Sequence, residues 1–326
     1  MSLASDLVLD AFKFDPKAIS RQTIELNEAC EANSEAAPSW QEIGAARYRE
    51  MRRNGEGSLP KVVVLESGVN FKIPSREAGR EIRCRLFKPE DGQVKGVVRH
   101  LHGGGWVLQG EDWNDELLKW MADNCGLAVV SVGYRLAPEH PYPAGPEDCI
   151  DAAEWLVRKA KPNYGANLKF IGGESAGAHL SVVTALHLHR AQPRFALKGL
   201  ILHYGIYELA TLLPAVHYCT KTSPNIELCI NTFLPDHTIE QRRNPSISPL
   251  YARLSRGALP PALLVVGTED PLVDDSIMMA AKWQMSGNEA VLKLYPGAPH
   301  GFTFYPYSDA ATSLEDTKPF VSGKVE

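Results

Sequence analysis

Leu168-Lys169-Phe170-Ile171-Gly172-Gly173-Glu174-Ser175-Ala176-Gly177-Ala178-His179 is an apolar extended stretch that passes into a helix through a G-x-S-x-G pentapeptide. The letters alone carry little weight. With Gly and Ser each at about 7% of residues, a chain of 326 residues contains the pattern by accident in about one case in ten. The context carries more. Small residues on both sides of Ser175 let the backbone turn sharply between strand and helix, so that its hydroxyl stands clear above a sheet and the Ala176 N–H faces the same point. The helix N-terminus adds positive potential where negative charge would develop.

Outward from this elbow, short β-branched runs alternate with amphipathic stretches, which predicts an α/β fold with a mainly parallel sheet flanked by helices. Eight strands are predicted near 62–69, 81–88, 97–101, 127–132, 168–171, 199–203, 262–266 and 290–294, the first two as an antiparallel edge. Helices are expected over 112–125, 146–159, 176–190 and 274–285. Two segments break the rhythm. Residues 1–58 are polar and helical, and Ser39-Trp40-Gln41-Glu42 forms a capping box that opens a helix running through Met51. Between strands six and seven lies an insertion, about 205–250, far longer than a connection requires. It brings its own apolar residues, Tyr207, Leu213, Tyr218, Phe233 and Leu234. Both segments are expected to form a small helical cap over a catalytic domain spanning 59–326.

Acyl-transfer chemistry at a serine needs oxyanion donors, a base and an orienting acid. His102-Gly103-Gly104-Gly105-Trp106 follows the strand at 97–101, where glycines without Cβ atoms can turn backbone N–H groups of Gly104 and Gly105 toward one oxygen, beside that of Ala176. The joint chance of both motifs is on the order of one in several thousand. The acid and base should follow the serine in the order acid, then histidine. Asp270 ends the strand-to-loop run Val265-Val266-Gly267-Thr268-Glu269-Asp270-Pro271-Leu272. His300 sits after the last strand in Pro299-His300-Gly301-Phe302. Glu269, Asp274 and Asp275 are the competing acids, the last two better explained by the first turn of a helix.

Composition excludes several classes. The chain has 34 Lys and Arg against 39 Asp and Glu, net charge -5, scattered along its length, which argues against nucleic acid or an anionic membrane as partner. The N-terminus carries Asp6, Asp10 and Asp15 and reads as neither secretory signal nor membrane span. The six cysteines show no C-x-x-C spacing, so they read as reduced thiols of a cytoplasmic protein. His187 and His189, two apart on a helix, point to different faces and do not suggest a metal. No metal or cofactor is expected, and the partner is a small-molecule ester, with homodimer formation left open.

The motifs together resemble the hormone-sensitive-lipase-like family of α/β-hydrolases over about residues 60–320. Further matching stretches are Tyr134-Arg135-Leu136-Ala137-Pro138-Glu139-His140-Pro141-Tyr142-Pro143-Ala144, Asp148, Asp270-Pro271-Leu272 and His300-Gly301-Phe302. The resemblance implies a metal-free serine esterase with Ser175, Asp270 and His300 as triad, the amides of Gly104, Gly105 and Ala176 as oxyanion hole, and a cap built from the N-terminal helices and the insertion. Glu174 stands where many relatives have Asp, and Ala178 where Gly is frequent. Short to medium acyl esters are the expected substrates, with Trp106, Tyr207, Phe233 and Phe302 as pocket walls. Amide hydrolysis of the aryl formamidase or deacetylase type is the nearest alternative, then a lyase or a ligand-binding protein on the same scaffold. Receptors in this family have lost the catalytic histidine, whereas this chain keeps His300.

Overall fold

A computed structural model describes residues 8–36, 38–56, 60–218 and 223–325. Residues 1–7 of the N-terminal segment and Cys219 therefore lie outside the described residues.

The sheet has eight strands: β1 (Val69–Pro74), β2 (Glu81–Phe87), β3 (Gly96–Leu101), β4 (Leu127–Gly133), β5 (Leu168–Glu174), β6 (Gly199–His203), β7 (Ala262–Gly267) and β8 (Ala290–Tyr295). Their spatial order is β1-β2-β4-β3-β5-β6-β7-β8. The β1–β2 and β2–β4 pairs are antiparallel and the other five parallel. Strands β3, β6 and β7 are buried along their whole length, as a parallel sheet covered on both faces requires.

In chain order the helices are α1 (Arg21–Ala36), α2 (Trp40–Ile43), α3 (Ala45–Asn54), α4 (Asp115–Cys125), α5 (Ala144–Tyr164), α6 (Ala176–Ala191), α7 (Pro214–Tyr218), α8 (Ser223–Phe233), α9 (Ile239–Arg242), α10 (Val273–Met285) and α11 (Ser308–Val325). Helix α6 packs on β3, β5 and β6, which fixes the strand-to-helix elbow at the middle of the sheet.

Three sequence expectations shift. The first strand begins at Val69, not near 62. Leu65 is held by side chains instead, its N–H donating to Asp115 Oδ2 and its carbonyl accepting from Arg85 Nη2. The helix expected to run from the capping box through Met51 is broken at Gly44, whose φ of 84° no helix tolerates, although the Ser39–Glu42 box itself forms. In the insertion Tyr218 is 83% exposed and adds nothing to an apolar underside.

Candidate active site

Ser175 has φ 53° and ψ −116°, a backbone region that L-residues rarely adopt and that lifts its side chain off the sheet edge. Its neighbours explain how the turn fits. A Cβ on Gly173 would lie 2.0 Å from the Leu101 carbonyl oxygen, and one on Gly177 would lie 1.9 Å from the same atom. Only glycine at both positions lets β3 and the elbow come this close, and the Ser175 N–H is anchored on the His203 carbonyl at 2.9 Å.

Ser175 Oγ lies 3.0 Å from His300 Nε2, and His300 Nδ1 lies 3.0 Å from both carboxylate oxygens of Asp270. A carboxylate only accepts, so Nδ1–H donates to Asp270 and the bare Nε2 accepts from the serine hydroxyl. Asp270 is buried and also takes the Leu272 N–H at 2.7 Å, which holds it in place. The imidazole stays 27% exposed, open to the cavity. The rival acids sit elsewhere: Glu269 is exposed, Asp274 accepts from the Ala215 N–H at 2.9 Å, and Asp275 accepts from the Tyr207 and Glu208 N–H groups.

Gly104 and Gly105 have φ of 91° and 59°, and their N–H groups have no acceptor among the described residues. With Ala176 they line the same cavity as Ser175. The loop that carries them is tied down from several sides. Tyr134 stacks on the His102 ring at 4.2 Å and donates its hydroxyl to the His102 carbonyl. Arg49 of α3 donates to the carbonyls of Val107 and Ala137 and forms a bidentate pair with Glu139 at 2.8 and 2.9 Å. The Tyr134–Ala144 stretch that the resemblance singled out thus braces the glycine loop and fastens α3 across it.

Beneath the elbow, Glu174 is buried and accepts from His100 Nε2 at 2.9 Å and Asn114 Nδ2 at 2.8 Å. Burial is the largest single influence and drives its pKa up, but His100, His203 and His102 together outweigh it and leave the carboxyl below its ordinary range. The side chain points into the core, away from the hydroxyl of the next residue.

The cavity over Ser175 has a volume of about 190 Å³. Trp106 lines it. Tyr207, Phe233 and Phe302 do not and form the layer behind. Phe233 stacks on Trp106 at 4.7 Å, Phe302 packs against Tyr204 at 5.7 Å, and Tyr207, at the start of the insertion, is wholly buried. The wall itself comes from Leu108, Tyr204, Ile206, Ile226, Leu272 and Phe304, with Arg52 of α3 and Cys229 of α8 reaching in from the two segments outside the sheet. No local motif marks these residues, because what brings them together is the fold. Among the described residues no group of three or more His, Cys, Asp or Glu side chains is placed to hold a metal.

Trp106 is latched by His179. The indole N–H donates to His179 Nδ1 at 3.2 Å, and His179 Nε2–H donates to the Ile247 carbonyl at 2.7 Å. An indole can only donate, so this geometry requires a neutral imidazole, and burial accordingly pulls the His179 pKa down to about 4. The unfolded chain therefore binds a proton that the folded one refuses between about pH 6.5 and pH 4. The stability from this latch is complete above that window and is lost as pH falls through it. In urea titrations the wild type should lose about 1.4 kcal/mol per pH unit more than His179→Gln on acidification from pH 6.5. The comparison isolates His179 from Asp275, whose carboxyl burial pushes up to about 8 and which acts in the opposite direction. Equal slopes would refute the latch.

The sharp elbow, the chain order of serine, acid and histidine, and the mostly parallel eight-stranded sheet define an α/β-hydrolase. A family model for the alpha/beta hydrolase fold matches residues 98–304, and the chain belongs to that family. An AB hydrolase superfamily protein of Schizosaccharomyces pombe is 31% identical over 254 residues, 74% of each chain. The ethyl acetate hydrolase of Pseudomonas putida is 28% identical over 230 residues, 69% of this chain and 72% of its own. Among solved structures, a thermostable carboxylesterase cloned from a metagenomic library superposes with a TM-score of 0.75 at 29% identity, covering 89% of this chain and 98% of its own. No helix among the described residues is long and apolar enough to cross a membrane.

Proposed function

We propose that the chain hydrolyses carboxylic esters of short to medium acyl length through an acyl-enzyme on Ser175. The carrying observation is the unbroken Ser175–His300–Asp270 chain of 3.0 Å contacts in the wall of a largely apolar cavity. His300 Nε2 takes the serine proton as Oγ bonds to the ester carbonyl carbon. The amides of Gly104, Gly105 and Ala176 hold the oxyanion. The tetrahedral intermediate collapses with loss of the alkoxide, which takes the proton from His300. Water then attacks the acyl-enzyme by the same route and releases the acid and free Ser175. Asp270 holds the imidazole tautomer and stabilises its cation.

Residues 1–58 and 205–250 form the cap in this reading, supported by Arg52 and Cys229 in the cavity wall. Similarity to an ethyl acetate hydrolase supports a small acyl group. The five described cysteines are all free thiols, which supports a cytoplasmic setting. Burst release of nitrophenol from 4-nitrophenyl acetate or butyrate tests the acyl-enzyme, since a lyase or a binding protein gives no burst.

Chain length follows from the cavity. Each added methylene should gain about 0.8 kcal/mol, close to fourfold in kcat/KM, until about 190 Å³ is filled. Across 4-nitrophenyl esters from acetate to palmitate, the optimum is expected at short to medium length with a steep fall beyond it. Preference for palmitate or for long-chain triglycerides would contradict this limit on acyl length.

A further inference from the structure

Arg52 lies one turn after Arg49 on α3, over the cavity, and is only 7% exposed. The other deeply buried guanidinium groups each donate within the protein, although Arg99 also has an unpartnered Nε. Arg85 pairs with Asp115, and Arg99 donates to the Cys149 carbonyl at 2.8 Å. Arg52 makes no side-chain hydrogen bond or ion pair among the described residues, and its Nε is fully buried without an acceptor. It lies over the ring faces of Tyr48 at 5.9 Å and Trp113 at 5.4 Å, with Tyr305 and Cys229 also close enough to act on its charge. Two acids of the neighbouring segment are committed to other partners. Asp112 holds Arg53 in a bidentate pair, and Asp115 holds Arg85 and the Leu65 N–H. Gln109, on the same wall, is also buried and has an unpartnered Oε1.

An unpaired buried charge costs several kcal/mol, and burial indeed pulls the Arg52 pKa down. Stacking on aromatic faces recovers part of this and leaves the in-plane N–H donors unused. Those donors belong to the wall shared with Ser175. Arg52, Gln109 and Phe304 also line a second cavity of about 530 Å³, so the guanidinium stands between the two spaces.

We propose that Arg52 binds a carboxylate carried by the ester substrate, several bonds from the scissile carbonyl, so that the preferred substrates are anionic esters. The proposal rests on the ester-hydrolase reading and names its substrate class. A guanidinium presents parallel donors that match a carboxylate, and one carboxylate neutralises one guanidinium.

The test compares kcat/KM of the wild type within two pairs of similar length: monoethyl glutarate against ethyl pentanoate, with the charge on the acyl side, and 4-acetoxybutanoate against butyl acetate, with the charge on the alcohol side. One carboxylate ester is expected to exceed its neutral counterpart about tenfold or more. That ratio should collapse in Arg52→Met and partly survive in Arg52→Lys, with melting temperatures reporting that the variants fold. Neutral esters preferred in both pairs, or an unchanged ratio in Arg52→Met, would overturn the proposal. The wild-type ratios decide it even if Arg52→Met does not fold. No turnover on all four esters and on 4-nitrophenyl acetate would overturn the hydrolase reading itself, whereas turnover without anionic preference overturns only the role of Arg52.

Discussion

Ser175→Ala is expected to lower kcat by about 10⁴- to 10⁶-fold with the melting temperature unchanged. The change deletes one oxygen and keeps the Cβ, so the strained elbow is no more strained than before. The anchors of the turn are main-chain: the Ser175 N–H on the His203 carbonyl, and the close passage of Gly173 and Gly177 past Leu101. Nothing that holds the fold is lost with the hydroxyl. Ester turnover and acyl-enzyme formation, read by nitrophenol burst and by intact mass, should disappear together. Activity retained within about tenfold would end the assignment of the nucleophile.

Asp270→Asn carries the second largest effect, a loss of about 10⁴-fold in kcat. The carboxylate accepts Nδ1–H of His300 on both oxygens, and an asparagine offers a donor on one side that favours the other tautomer. Nε2 would then carry the proton and could not take one from Ser175. Glu269→Gln, at the adjacent but exposed position, should leave kcat within about twofold. The pair of variants separates the two acids by kinetics, since both remove one negative charge from the same loop. A more damaging Glu269→Gln would show that the acid is misplaced.

Much of this architecture was legible because it is written locally. A parallel strand buried on both faces must be a short apolar run, and seven of the eight lie where the hydrophobic pattern put them. The edge strand is the exception. An antiparallel edge needs no continuous apolar run, so the valines at 62–64 competed with the true strand, and the anchoring of Leu65 to Asp115 and Arg85 decided against them. Gly44 shows the opposite limit, since glycine is tolerated within many helices and only the packed chain shows the left-handed backbone there.

By itself the sequence determined the elements that chemistry demands at fixed spacing: the glycines around Ser175, the triple glycine after β3, and the order of serine, acid and histidine. Each is a local constraint, on close backbone approach or on chain order through a sheet of this type, so each leaves its mark in consecutive letters. Tertiary structure decided which acid is buried against His300 and which aromatics reach the cavity. It also placed a lone guanidinium of α3 in the same wall. Asp270 and Glu269 are neighbours of nearly equal chemistry, and only the direction of the loop after β7 buries one and exposes the other. Trp106 lines the cavity over Ser175 while Phe233 and Phe302 stand behind it, because packing assigns large apolar side chains by depth. Depth is a property of the folded chain, set by segments hundreds of residues apart, and no local pattern encodes it.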